Sequence, residues 1–163
     1  MRKELSALWA AMERAGVDAY VIPTDDFHGS EYVGDYFKCR EYVSGFTGSA
    51  GTLVVTRDWA GLWTDGRYFL QGAQQLEGSG IDLCKMGEPG VPTVQGWLEA
   101  HLTKGQVLGF DGRTMTAETG LALEKAMEKQ GVRIKHALDL AGEIWPERPS
   151  LPQETAWALD LQY

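Results

Sequence analysis

Between residues 52 and 136 short apolar runs alternate with amphipathic stretches, and this alternation limits the possible folds more than any other feature of the chain. Thr52-Leu53-Val54-Val55-Thr56 and Ala60-Gly61-Leu62-Trp63-Thr64 read as strands. Arg57-Asp58-Trp59 between them is too short for a crossover, so the two form an antiparallel hairpin. Phe69, Leu70, Ala73 and Leu76 mark a helix over 66–77. Ile81 to Met86 is a strand. A helix follows over 93–102, with Val94, Trp97 and Leu98 on one face. Gln106 to Phe110 is a further strand. Thr116 caps a helix reaching 129, with Leu123, Ala126 and Met127 inward. Gly131 stops it, and Val132 to His136 closes the series. Strand–helix–strand order implies right-handed parallel crossovers. Upstream, Leu5, Leu8, Trp9 and Met12 give a helix over 2–15 with Gly16 as its stop. Asp18 to Ile22 is a strand ended by Pro23. Residues 24–38 have no period and read as a long loop of the functional kind. The expected architecture is a three-layer α/β/α domain with a mixed sheet of five or six strands, over residues 1–145. No internal repeat is apparent.

The next segment, 146–152, reads as a stiff, extended proline-rich linker. Ala156, Trp157, Leu159 and Leu161 then make residues 153–163 look like the truncated start of a second domain. A C-terminal helix folding back on the first domain is the other reading.

Charge narrows the partners. Lys and Arg number 15 against 23 Asp and Glu, a net charge of −8. An acidic surface repels phosphate backbones and anionic lipid, so neither nucleic acid nor membrane is expected. No apolar run is long enough to span a bilayer, and Met1 to Leu5 lacks a secretion signal's apolar core. Cys39 and Cys84 stand alone, which reads as reduced and cytoplasmic. Six tryptophans are a heavy load and hint at a buried partner surface.

Three segments offer chemistry. Gly45, Gly48 and Gly51 form a glycine-rich run, but it opens a strand and lacks both the dinucleotide spacing and the P-loop lysine, so tight turns and close packing explain it. Asp25, Asp26, His28 and Glu31 are metal-ligand types. His101 and His136 lie in other elements, so a capping loop or the rim of a neighbouring site fits better. Asp65-Gly66-Arg67 sits where a strand meets a helix. Asp65 suits an N-cap. Arg67 opposes the helix dipole in the first turn. Two readings remain open for it: a grip on a substrate carboxylate or carbonyl, or a salt bridge to a nearby acid. No nucleophile elbow and no zinc-protease helix motif is present, so no hydrolase mechanism can be assembled from this chain alone.

These segments resemble a known family. Asp26-Phe-His28 with Ser30-Glu31-Tyr32, Phe46-x-Gly48-Ser-Ala-Gly51, and the block from Trp63-Thr-Asp-Gly-Arg67 to Leu70-Gln71 closely resemble the N-terminal domain of the cytosolic Xaa-Pro aminopeptidases, of the creatinase/prolidase/aminopeptidase P group. Lys85-Met86-Gly87 and Ile144-Trp145-x-x-Arg148-Pro149 fit the same pattern. The resemblance runs from about residue 18 to 152, with departures mostly in the helix after Thr116. It implies a three-domain parent whose C-terminal "pita-bread" domain binds two divalent metals, usually manganese, through two Asp, one His and two Glu. It places none of these ligands, and so no cofactor, in this chain. It implies a homodimer, a peptide substrate with proline second, a middle domain starting near Leu151 to Tyr163, and a first domain overhanging the active-site entrance. Arg67 matches an arginine associated with substrate binding, and His28 a rim element. A free-standing α/β interaction or small-ligand module of the same ancestry is the rival reading.

Overall fold

The computed structural model describes residues 1–160 and 162. The elements run α1 (Lys3–Ala15), β1 (Ala19–Pro23), α2 (Cys39–Ser44), β2 (Thr52–Thr56), β3 (Ala60–Thr64), α3 (Phe69–Gln75), β4 (Asp82–Lys85), α4 (Val94–His101), β5 (Val107–Phe110), α5 (Ala117–Gln130), β6 (Arg133–Lys135) and α6 (Leu140–Glu143). The six strands form one mixed sheet in the order β4-β3-β2-β1-β5-β6. Only β2 runs against its neighbours; β1–β5, β3–β4 and β5–β6 are parallel. The C-terminal ends of five strands therefore share one end of the sheet.

Side chains alternate along the strands and so feed two cores. Tyr20, Ile22, Leu53, Val55 and Leu62 face α1, α2, α3 and α6. Ala19, Val21, Val54, Trp63, Leu108 and Phe110 face α4 and α5. The expected three layers and mixed sheet are borne out. Leu5, Leu8 and Met12 of α1 are fully buried, each contributing about 1.5–3 kcal/mol of transfer free energy. Gly16 ends α1 in the left-handed region at φ 61°. Thr93 and Thr116 cap α4 and α5 by accepting from the amides of Gly96 and Thr119.

The tryptophan load goes largely into this chain's own packing. Trp59, Trp97 and His101 stack with centroids 4.4 and 4.0 Å apart, and Trp63 meets Trp59 and Trp97 edge-on. Gly61 makes room: a Cβ there would lie 2.1 Å from the Trp59 ring. Trp9 Nε1 donates to Thr56 O, and Trp145 stacks on Tyr42 at 4.4 Å. Trp157 is 77% exposed.

Several expectations need correction. Leu70 is 84% exposed and Ala73 also faces water; the inner face of α3 is made by Gly72, against Leu83, and the chain just after it buries Leu76. Residues 66–68 form a 3-10 turn rather than the first turn of α3. The stretch read as loop over 24–38 ends in a 3-10 turn and leads into α2, which periodicity did not reveal, as it did not reveal α6. Both are too short to display a 3.6-residue pattern. Residues 151–160 carry no helix or strand; Leu161 and Tyr163 of the expected stub lie outside the described residues. Of the proline-rich segment, Arg148 is folded onto the domain. Its side chain is 11% exposed, donates to Tyr36 O and Asp139 Oδ2, and lies 3.7 Å from the Tyr36 ring.

Candidate functional site

The strand ends that share one sheet edge surround a cleft of about 360 Å³ bordered by Thr24, Glu31, Ser49, Thr64, Arg67 and Met86. In doubly wound sheets, ligands bind in such crevices beyond the carboxyl ends of the strands. Asp65 ends β3 as the N-cap of the 66–68 turn. Its Oδ1 accepts from the Arg67 amide at 3.0 Å and from Nε at 2.9 Å, while Oδ2 accepts from Nη2 at 2.9 Å. The guanidinium holds the Asp65 carboxyl down to about 2. Of the two readings for Arg67, the salt bridge is formed, yet the side chain stays 64% exposed. Asp65 occupies Nε and Nη2, and Nη1 has no hydrogen-bond partner among the described residues.

The ring of Tyr68 lies 5.1 Å from the Arg67 guanidinium carbon. Its hydroxyl bonds to Ser49 Oγ at 2.6 Å, and its edge meets Phe46 at 5.9 Å. The 45–51 turn is packed tightly against it: a Cβ on Gly48 would lie 2.3 Å from the Phe46 ring and 2.9 Å from Tyr68. Beneath the turn lies Arg40, 4% exposed. Its Nε donates to Thr24 Oγ1, Nη1 to Phe46 O and Nη2 to Gly48 O. Burial lowers its pKa to about 10.

His28 is exposed and does not border the Arg67 cleft. Its amide and that of Ser30 donate to Asp26 Oδ1 at 2.8 and 3.1 Å, and these bonds, the Ser30 amide foremost, hold the Asp26 carboxyl below the usual range. The 25–31 segment is thus a self-capped loop. Among the described residues no group of three or more His, Cys, Asp or Glu is placed to hold a metal ion.

The sequence also repeats a tripeptide. Asp-Gly-Arg occurs twice, at 65–67 and 111–113, each time after a strand. Asp111 accepts from the Arg113 amide, Nε and Nη2 as Asp65 does from Arg67. But Arg113 Nη2 also donates to Asp139 Oδ2 at 3.0 Å, and its guanidinium lies 5.3 Å from the Phe27 ring. One copy is tied into the domain; the other looks onto the cleft. A search for repeated tripeptides at strand ends would have found the pair.

Fold and cleft together define a mixed α/β domain that presents an arginine on a polar crevice. The chain belongs to the creatinase/prolidase N-terminal domain family, which matches residues 5–144. It is 43% identical to Aminopeptidase P2 of Arabidopsis thaliana over 91% of its length and 21% of that protein. It is 40% identical to the probable Xaa-Pro aminopeptidase P of Tuber melanosporum, over 98% of this chain and 26% of that one. The crystal structure of the Caenorhabditis elegans X-prolyl aminopeptidase, described as a cytosolic enzyme with a di-nuclear active site, superposes with a TM-score of 0.89 at 36% identity, over 98% of this chain and 28% of that one. The chain thus spans between about a fifth and somewhat over a quarter of the length of these relatives.

Proposed function

We propose that this chain is the non-catalytic first domain of a metal-dependent Xaa-Pro aminopeptidase, a cytoplasmic homodimer that cleaves between an N-terminal residue and proline. The observation that carries the reading is identity of 43% and 40%, sustained over nearly the whole chain, to relatives named for aminopeptidase P activity. The two metals of such an enzyme do not fit here. Asp26 is engaged by backbone amides, and no third ligand converges on it among the described residues. No step of hydrolysis is therefore assigned to this chain, and the metals, manganese by expectation, belong to a further domain.

The chain's own part is at the rim. Arg67 offers Nη1 to a peptide carbonyl or carboxylate while Asp65 fixes the other edge of the fork. Met86, 50% exposed, supplies an apolar border. His28 belongs to the neighbouring loop and is a rim element only.

The coding sequence past residue 163 should contain the two Asp, one His and two Glu. Its full product should release the first residue of an Xaa-Pro peptide with manganese, lose this with a chelator, and elute as a dimer. The 163-residue chain should release nothing. Chelator-sensitive release by the chain alone, or a reading frame that ends without those ligands, would overturn the proposal; the latter outcome favours a free-standing module.

A further inference from the structure

Among the described residues, Arg40 is a deeply buried guanidinium that no carboxylate bonds, although Glu41 lies near enough to favour its charge. It is 4% exposed and forms no ion pair among the described residues. Burying such a cation is costly, and a neutral donor would close a glycine turn without that cost. What an arginine adds is a rigid planar fork that ties several segments at once. Here the fork joins three: α2, which carries it; the end of β1, through Thr24; and the 45–51 turn, through Phe46 and Gly48. Its guanidinium carbon also sits 4.9 Å from the Phe46 ring. The turn so pinned leaves no room at Gly48 and presses Phe46 and Ser49 against Tyr68. Tyr68 in turn lies against Arg67.

The second Asp-Gly-Arg turn shows what Arg67 lacks. Arg113 is held by Asp111, by a second carboxylate on Asp139 and by the ring of Phe27. Arg67 has Asp65 and the ring of Tyr68; Glu31 lies across the cleft and favours its charge, but no second carboxylate is bonded to it among the described residues. Asp65 grips one edge of its fork, and the ring of Tyr68 lies against it.

We propose that Arg40 is a positioning residue for Arg67: by pinning the 45–51 turn it fixes the ring of Tyr68, and that ring holds the Arg67 guanidinium over the cleft. The consequence for substrate rests on the function proposed above; the positioning itself does not.

The test is side-chain nitrogen relaxation of the 163-residue chain, with the Nε–H of Arg113 as internal control. In Arg40→Lys, Thr24→Val and Tyr68→Leu, the Arg67 Nε–H order parameter should fall well below its value in the unaltered chain, while Arg113 stays unchanged. Thr24→Val, which removes one acceptor, decides the matter if Arg40→Lys does not fold. Arg67 remaining rigid in Tyr68→Leu overturns the proposal, because Asp65 alone would then suffice. Equal loosening of both arginines in Thr24→Val overturns it too, because Arg40 would then serve the fold in general. In the full-length protein, Arg40→Lys and Tyr68→Leu should raise KM for an Xaa-Pro peptide about 10-fold with kcat little changed. A loosened Arg67 with unchanged KM would leave the positioning intact and remove the substrate role of Arg67.

Discussion

Tyr20 carries much of the burden of joining distant parts of the chain. Its hydroxyl donates to Leu138 O at 2.6 Å and accepts from the Leu140 amide at 3.1 Å, beneath a surface that leaves the residue 2% exposed. Burial pushes the phenol far above its ordinary range. Tyr20→Phe keeps the packing and strands two backbone groups, so it should cost about 1–3 kcal/mol, read from urea unfolding. Arg67→Ala should behave oppositely. With its fork exposed, it should leave the urea midpoint of this domain in place and, on the function proposed above, lower kcat/KM of the full-length protein by about 10- to 150-fold. The thiols of Cys39 and Cys84 are both pushed up to about 11 by burial. At pH 8 only about a thousandth of each is thiolate, so a disulfide reagent should react slowly with the native chain and fast once urea unfolds it.

Among the elements, β3 and the turn after it show how close packing and charge divide the labour. Gly61→Ala places a methyl where the Trp59 ring lies; Trp59 must leave its stack, at a cost of about 1–3 kcal/mol, visible as a red-shifted tryptophan emission and a lower urea midpoint. The Asp65 turn is sensitive to acid. Its folded carboxyl sits at about 2, below the unfolded value of about 3.9. Its contribution is therefore complete above the unfolded value and is lost as pH falls through the folded one. Because the pair is exposed, that loss should appear as a local loosening of Arg67 and not in the global melt. The long strands and helices were legible because each carries a full hydrophobic period and a stop, such as Gly16 or Gly131. α2 and α6 were not, since so few residues cannot show a period. Leu70 misled for a related reason: an apolar residue at the right spacing looks like core until its neighbours reveal a smaller inner residue, Gly72. In the cleft, Arg67 stood out by its charge. Arg40 did not, because its burial depends on strands and turns that meet only in three dimensions.

At the scale of the molecule, where the domain ends is decided by packing rather than by proline content. Trp145 and Arg148 are docked on Tyr42, Tyr36 and Asp139; burial opposes the charge of Arg148 most strongly, but Asp139, Cys39 and Tyr36 together outweigh it and the charge is favoured. Ending the chain after Pro149 should leave the melting temperature unchanged, whereas ending it after Glu143 should lower it by several degrees, about 2–4 °C for each kcal/mol of packing removed. The sheet order has a consequence for how this chain is made. β1 pairs on one side with β2, but on the other with β5, Ala19 against Leu108. A nascent chain leaving the ribosome can thus build its hairpin early while the far flank of β1 waits, unpaired and apolar, until Phe110 has emerged. Translation stalled before that point would present a sticky strand to every neighbouring ribosome. Chaperones that hold extended apolar segments would find their binding window there, and it closes when β5 docks.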